Sequence, residues 1–156
     1  MKKIFFPCII LTVFTISASA APATYRDASG RILGTATVSG SITTYRDSAG
    51  RITGSSTQSG NRITYRNSAG HVTGIAIQNG AHTVYHNSRN RITGGATTTN
   101  NRTTYRDSLG KITGTSEADG ENAIYRNSAG AVIGTVSGGF SPAILRDAFY
   151  PGRTGK

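Results

Sequence analysis

The sequence contains few or none of the residue types that build disulfides, metal centres and acid–base sites. It has one cysteine, no tryptophan and seven acidic residues in 156. Cys8 lies in a short apolar run that follows Lys2 and Lys3 and ends in small residues at Ala20, which predicts a secretory signal over residues 1–20. The mature chain would then lack cysteine, which excludes disulfides, thiolate metal sites and cysteine nucleophiles.

The charge balance is strongly basic, with 17 Lys and Arg residues and a formal net charge of +10. Residues 1–20 hold two lysines and no acid, so cleavage after Ala20 leaves +8 on the mature chain. Such an excess favours contact with polyanions such as nucleic acid, phosphorylated glycans or anionic lipid, although solubility alone could account for it. No later segment is apolar enough to cross a membrane as a helix, so no membrane span is expected.

A repeat of twenty residues occupies nearly the whole mature chain. Each copy has a Tyr, an Ile or Val seven residues later and a Gly two residues after that, and a seventh, partial copy has Leu145 in place of Tyr. The tyrosines are Tyr25, Tyr45, Tyr65, Tyr85, Tyr105 and Tyr125. This organisation predicts repeats over residues 21–147 and a tail or cap over residues 148–156.

Each repeat is predicted to be a β-hairpin, because Thr, Ile, Val and Tyr dominate segments of five to eight residues between Gly and Asn clusters. Two connections alternate. One is "DSAG" (Asp47–Gly50), interpreted as a four-residue loop, and the other is a two-residue hairpin turn such as Ser59-Gly60. The product is twelve antiparallel strands, with a thirteenth possible over Pro142–Arg146.

Loop length decides which side chains share a face of the sheet. With a four-residue loop, Arg46 would face Arg51 and Tyr45 would face Ile52; the next hairpin would set Gly54 against Tyr65 and Ser56 against Ile63. A three-residue loop would separate Tyr from Ile and leave neither face suited to a core. The predicted core face carries Tyr45, Ile52, Gly54, Ile63 and Tyr65, and the other face carries Thr44, Arg46, Arg51, Thr53, Ser55 and Arg66.

The predicted fold class is therefore all-β: a continuous antiparallel meander that is rolled into a barrel or coiled as a solenoid. Twelve strands permit closure, because the first and last strands would be antiparallel. Strands shorter than about 9 residues and an outer face with Arg disfavour a membrane barrel.

The stretches "YRDSAGRITG" (Tyr45–Gly54) and "GNRITYRNSAGHVTG" (Gly60–Gly74) resemble the tyrosine-aspartate (YD) repeats of RHS-type and teneurin-type proteins. The resemblance spans residues 24–146 and implies hairpin strands in a coiled sheet on a secreted or surface protein. In this chain an Arg such as Arg46 stands between the Tyr and the Asp or Asn, where the family joins them directly. No shell or enclosed toxin domain is carried over.

Basic residues flank the "DSAG"-type loops, which all fall on one edge of the meander, and they are predicted to form a basic rim that binds an anionic ligand. The candidate ligand-binding residues are Arg26, Arg31, Arg46, Arg51, Arg66, Arg106, Lys111 and Arg126. The alternative is an exposed ladder of Arg and Asp that merely solvates the edge. The pattern disfavours nucleic acid as the ligand, because the Tyr column of the protein lies on the face opposite to the basic residues.

Other chemistry has little support in the sequence. The Tyr column is expected to be core, although partly exposed tyrosines could stack on sugars. The turn position alternates between Asp and Asn, and His71 and His86 lack a third ligand, so no metal, cofactor or catalytic site is expected.

The favoured hypothesis is a secreted, periplasmic or extracellular, non-enzymatic protein that binds an anionic glycan or other cell-envelope polymer. The alternative is a structural or matrix protein that self-associates through unpaired sheet edges. A third reading is ice or crystal-surface binding by a Thr ladder on the outer face, formed by Thr53, Thr73, Thr93 and Thr113.

Overall fold

The computed structural model describes residues 22–138, and this part of the chain consists of strands and turns without a helix. The signal peptide, the thirteenth strand and the C-terminal tail or cap predicted from the sequence lie outside the described residues. The strands are β1 (Ala23–Asp27), β2 (Ile32–Ser39), β3 (Ile42–Asp47), β4 (Ile52–Ser59), β5 (Arg62–Asn67), β6 (Val72–Asn79), β7 (His82–Asn87), β8 (Ile92–Thr99), β9 (Arg102–Asp107), β10 (Ile112–Asp119), β11 (Asn122–Asn127) and β12 (Val132–Ser137).

The twelve strands form a closed antiparallel barrel in which every strand pairs with its neighbours in sequence. The barrel closes between β1 and β12, where Thr24 pairs with Ser137 and Tyr25 pairs with Val136. The predicted meander is confirmed, and of its two predicted forms the chain adopts the barrel. Closure leaves no unpaired sheet edge within residues 22–138, because a barrel has no edge strands.

The "DSAG" connection is a three-residue loop, so the predicted four-residue loop is wrong. The amide of Asp47 donates to the carbonyl of Arg51 at 2.9 Å, and the amide of Gly50 donates to the carbonyl of Asp47 at 3.0 Å. Gly50 has φ +79°, the left-handed conformation that ends a three-residue hairpin loop. Arg51 therefore lies opposite Asp47, and not opposite Arg46 as the sequence suggested.

A β-bulge follows each three-residue loop and turns the predicted Ile position outward. Arg46 pairs with Ile52 and Tyr45 pairs with Gly54, so Thr53 is the extra residue of the bulge. Ile52 is 50% exposed, and its predicted place in the core is wrong. The bulge compensates for the shorter loop, so Tyr45 and Gly54 still share the inner face.

The two-residue turns at the other end shift the predicted register by two residues. The loop is Gly60-Asn61, which pairs Ser56 with Tyr65 and Gln58 with Ile63. An even shift leaves every side chain on its predicted face. The inward positions of Gly54, Ile63 and Tyr65 are therefore confirmed, although their cross-strand partners differ from those expected.

A layer of tyrosines fills the barrel, as the sequence predicted for the Tyr column. Five of the six are buried, from 7% exposed at Tyr65 to fully buried at Tyr125, and Tyr45 packs against them. The hydroxyls of Tyr45 and Tyr105 form hydrogen bonds of 3.0 Å with Ser56 and Ser116. The reading in which tyrosines line exposed sugar-binding slots does not fit this packing.

The repeated Gly next to the tyrosine layer is required by backbone packing. A Cβ atom on Gly74 would lie 2.6 Å from the carbonyl oxygen of His86 in the next strand, and Gly54 meets the carbonyl of Arg66 in the same way. A real Cβ does not approach a backbone oxygen so closely. Glycine at this point of the first four repeats therefore allows neighbouring strands to pair.

Candidate functional site: the basic end of the barrel

All six three-residue loops lie at one end of the barrel, and the two-residue loops lie at the other together with residues 22 and 138. We call these the basic end and the opposite end. In the described part of the chain, the basic end holds ten basic residues: Arg26, Arg31, Arg46, Arg51, Arg66, Arg89, Arg91, Arg106, Lys111 and Arg126. Its three acids are Asp27, Asp47 and Asp107. The opposite end holds Arg62, Arg102, Glu117, Asp119 and Glu121.

The structure therefore brings all eight predicted candidate residues to one end of the barrel. It adds Arg89 and Arg91 of the β7–β8 loop, which the sequence reading did not include among the candidates. A departure from the repeat was the available signal, because Arg89 occupies a position that is Ala or Ser in four of the other five loops.

The arginines that follow the tyrosines cap their own loops. Nη1 of Arg46 donates to the carbonyl of Gly50 at 2.9 Å. The same bond, at 2.9 to 3.2 Å, is made by Arg26, Arg66, Arg106 and Arg126. A guanidinium has five N–H donors, so this bond leaves others available for a ligand. These five residues have a structural role that the sequence reading did not anticipate.

The Asp or Asn at the start of each loop also caps it. Oδ1 of Asp47 accepts the amides of Ala49 and Arg51, each at 2.9 Å. Oδ1 of Asn67 accepts the equivalent amides at 3.1 and 3.0 Å. The position needs a side-chain oxygen and not a negative charge, which explains why Asp and Asn alternate there.

Two of the loops carry ion pairs. Nε of Arg51 lies 2.8 Å from Oδ2 of Asp47, and Nε of Arg31 lies 3.6 Å from Oδ2 of Asp27. The backbone amide of Arg51 is the main cause that lowers the pKa of Asp47, and the Ser29 hydroxyl is the main cause for Asp27. Both arginine side chains are about 80% exposed, so the pairs contribute little to stability.

The β7–β8 and β9–β10 loops differ from the others in their cations. Within residues 22–138, the side chains of Arg89, Arg91 and Lys111 have neither an ion pair nor a hydrogen bond. Asn87 stands where the first two loops have Asp, so Arg91 has no carboxylate beside it. Leu109, at the tip of the β9–β10 loop, is 92% exposed.

An aliphatic belt runs around the outside of the barrel just below the basic end. Its members are the displaced Ile and Val residues, which are 38 to 57% exposed: Ile32, Ile52, Val72, Ile92, Ile112 and Val132. Each pairs across the strands with an Arg, or with His86 in the fourth repeat. The surface below the loops therefore alternates between cationic and apolar side chains.

The rest of the described surface has an open depression and the Thr residues of the bulges, but no candidate metal site. No group of three metal-ligating side chains lies together in residues 22–138, and no helix there is long and apolar enough to span a membrane. An open depression of about 460 Å³ on β8, β9 and β10 is lined by Thr97, Thr99, Asn100, Asn101, Arg102, Thr104, Arg106 and Glu117. The residues of the predicted Thr ladder are bulge residues, and their counterpart Ile133 packs against the core.

Comparison with known proteins does not assign this chain to a family. No protein-family model matches the sequence, and no curated protein matches it significantly.

Proposed function

We propose that this protein is a secreted binding protein without enzymatic activity, and that its basic end holds an anionic glycan or other anionic cell-envelope polymer. The observation that carries the proposal is the segregation of charge. Among residues 22–138, the basic end has ten basic residues and three acids, whereas the opposite end has two basic residues and three acids. Such a one-sided field attracts a polyanion to one end of the barrel.

The three acids of the basic end offset only part of its positive charge. Oδ1 of each Asp accepts backbone amides inside its loop, and within residues 22–138 Asp27 and Asp47 form ion pairs whereas Asp107 does not. The cations recur with every repeat. Because each repeat has two strands, neighbouring loops of the basic end lie about 10 Å apart around the rim. A polymer with regularly spaced negative groups could contact several of them at once, which raises its avidity without any deep pocket.

Self-association through sheet edges, the alternative considered from the sequence, is not favoured by any observation. Its motivation was an unpaired edge, and β1 pairs with β12 along the seam of the barrel. Ice binding loses its motivation too, because the Thr residues lie in bulges, outside the regular strand pairing.

The test is binding of a soluble sulfated or phosphorylated polysaccharide to the mature chain, measured by calorimetry at low salt and at about 0.3 M salt. The matched variants are Arg91→Ser/Lys111→Ser at the basic end and Arg62→Ser/Arg102→Ser at the opposite end, which remove the same charge. We expect the first pair to lower the affinity about tenfold and the second less than threefold. Equal losses for both pairs, or binding that salt does not weaken, would contradict the proposal.

A further inference from the structure

We infer that the tips of the β7–β8 and β9–β10 loops form a docking point for an anionic lipid surface. We call this pair of loops the lipid-facing sector. It is defined by Arg89, Arg91, Leu109 and Lys111, together with Ile92 and Ile112 of the aliphatic belt directly below. The inference concerns a different partner from the soluble polymer and does not rest on that proposal.

The lipid-facing sector holds cations that the fold does not use. Arg89, Arg91 and Lys111 have no side-chain partner among residues 22–138. The one acid of the sector, Asp107, accepts the amides of Leu109 and Lys111 at 2.9 Å each. A cluster of unpaired cations on exposed loops is what a negatively charged membrane surface attracts.

The lipid-facing sector also exposes aliphatic side chains. Leu109 is 92% exposed at a position that is Ala or Ser in four of the other five loops. Ile92 is the most exposed aliphatic residue of the belt, at 57%, and Ile112 is 41% exposed. These three side chains lie next to the cations in the chain and are not part of the buried core cluster.

The combination of free cations with exposed aliphatic side chains distinguishes between kinds of anionic partner. A polysaccharide has no hydrocarbon region in which a leucine could be buried, so it would use the cations and not Leu109. A protein interface needs about 1,000 Å² or more of complementary surface, and two loop tips do not supply it. An anionic bilayer takes the cations at its headgroups and the aliphatic side chains at the acyl boundary.

The barrel contains its own control, because the loops opposite this sector differ in the relevant features. The β1–β2 and β3–β4 loops lie half-way around the rim from the β7–β8 and β9–β10 loops. Their Arg31 and Arg51 are paired with Asp27 and Asp47, and their tips carry Ser29 and Ala49. They offer the same number of loop arginines with no apolar tip and little free charge.

The experiment is flotation of the mature chain with vesicles of phosphatidylcholine alone or with added phosphatidylglycerol. We expect binding only to the anionic vesicles. Arg91→Ser/Lys111→Ser should weaken it by roughly twentyfold, since each cation near such a surface is worth about fivefold. Leu109→Ser should weaken it about tenfold, because it removes the side chain that enters the acyl boundary.

The matched control is Arg31→Ser/Arg51→Ser, which removes the same charge from the opposite loops and should change vesicle affinity less than threefold. The far-UV circular dichroism of each variant checks that the barrel is intact. If Leu109→Ser binds anionic vesicles as the wild type does, or if both double variants lose equally, the inference is overturned. Equal binding to vesicles without phosphatidylglycerol overturns it as well.

Polysaccharide binding by the same variants separates the two proposals. Leu109→Ser should leave the affinity for the soluble polymer unchanged within twofold. A protein that ignores the polymer but shows the vesicle pattern refutes the proposed function alone. A protein that binds the polymer and no vesicle refutes the lipid-facing sector alone.

Discussion

The two ends of the barrel close the same twelve strands with different chemistry. At the basic end, each three-residue loop is held by side chains: an Asp or Asn oxygen accepts two loop amides, and in five loops an Arg donates to the glycine carbonyl. At the opposite end, the turns are held mainly by backbone conformation, with positive φ at Gly40, Gly60, Gly80, Asn100 and Gly120. Few side chains contribute there.

This difference shows how a structural need and a functional charge can share a surface. Part of the positive charge at the basic end comes from the arginines that cap the loops. The residues that capping does not explain are Arg31, Arg51, Arg89, Arg91 and Lys111. At the opposite end the turns need no charge, and its acids are confined to Glu117, Asp119 and Glu121 of a single hairpin. Function should therefore be sought among the cations that do no capping.

Alkaline pH should unfold the barrel and so remove the difference between its two ends, because both ends depend on the tyrosine layer. Burial, with a smaller effect of neighbouring tyrosines, raises the pKa of Tyr25 and Tyr125 well above the ordinary value. A group whose folded pKa is raised stabilises the fold fully below its unfolded pKa, about 10 for Tyr, and that stabilisation is lost as pH rises further. We expect tyrosinate absorbance and loss of β circular dichroism to rise together above about pH 10. Ionisation at the ordinary pKa with the barrel intact would contradict this.

Gly54→Ala should be the most damaging of the point substitutions near the basic end. Its Cβ would meet the carbonyl oxygen of Arg66, and we expect a loss of about 3 kcal/mol in the free energy of unfolding. Ser56→Ala, one inward position further from the basic end, removes only the bond to the Tyr45 hydroxyl and should cost about 1 kcal/mol. Urea unfolding of both variants measures the difference. Similar losses would contradict the prediction that the contact with the Arg66 carbonyl requires glycine at position 54.

Asp47→Ala should cost about 1 to 2 kcal/mol of unfolding free energy, because it removes the acceptor of two loop amides. At the opposite end, Asn61→Ala removes an exposed bond of 3.2 Å to the Gln78 carbonyl and should cost less than about 0.5 kcal/mol. Asp47→Asn is the control that keeps the acceptor, and it should retain most of the stability. Chemical denaturation gives all three values; an Asn variant as unstable as the Ala variant would contradict the capping role.

Acid pH should weaken the basic end slightly. Hydrogen bonds to the carboxylates lower the pKa of Asp27 and of Asp47. A lowered folded pKa gives stability that is present above the unfolded value, about 3.9 for Asp, and is lost as pH falls through the folded pKa. The double variant Asp27→Asn/Asp47→Asn should therefore depend less on pH below about 4 than the wild type does. Thermal melts across that range provide the measurement.

Much of the fold could be predicted from the repeat, because strands, turns and the Tyr face all follow from a twenty-residue period. The loop length could not. A four-residue loop without a bulge and a three-residue loop followed by a bulge both keep Tyr45 and Gly54 on one face. They differ in the cross-strand partners near the loop and in the side to which Ile52 points, and hydrophobicity favoured the wrong side. The bulge leaves no mark in the alternation of the other residues.

The eight predicted residues do lie at one end of the barrel, but their individual structural roles could not be predicted. Capping by Arg46 depends on the position of the Gly50 carbonyl, which is set by the loop conformation. The alternation of Asp47 with Asn67 was visible, and it was interpreted as evidence against calcium when it also indicates a capping oxygen. Arg89 and Leu109 were visible as departures from the repeat, but their exposure becomes evident only once the barrel is closed.

The seam between β1 and β12 makes the starting point of the barrel arbitrary. The carbonyl of Pro22 lies beside Gly138, at the end where every other pair of hairpins is joined by two residues. A chain cut between Gly60 and Asn61, with a short link from residue 138 back to residue 22, should therefore complete the same ring of twelve strands. In such a circular permutant the identity of the first strand would change, while the sixfold order of loops around the basic end would not.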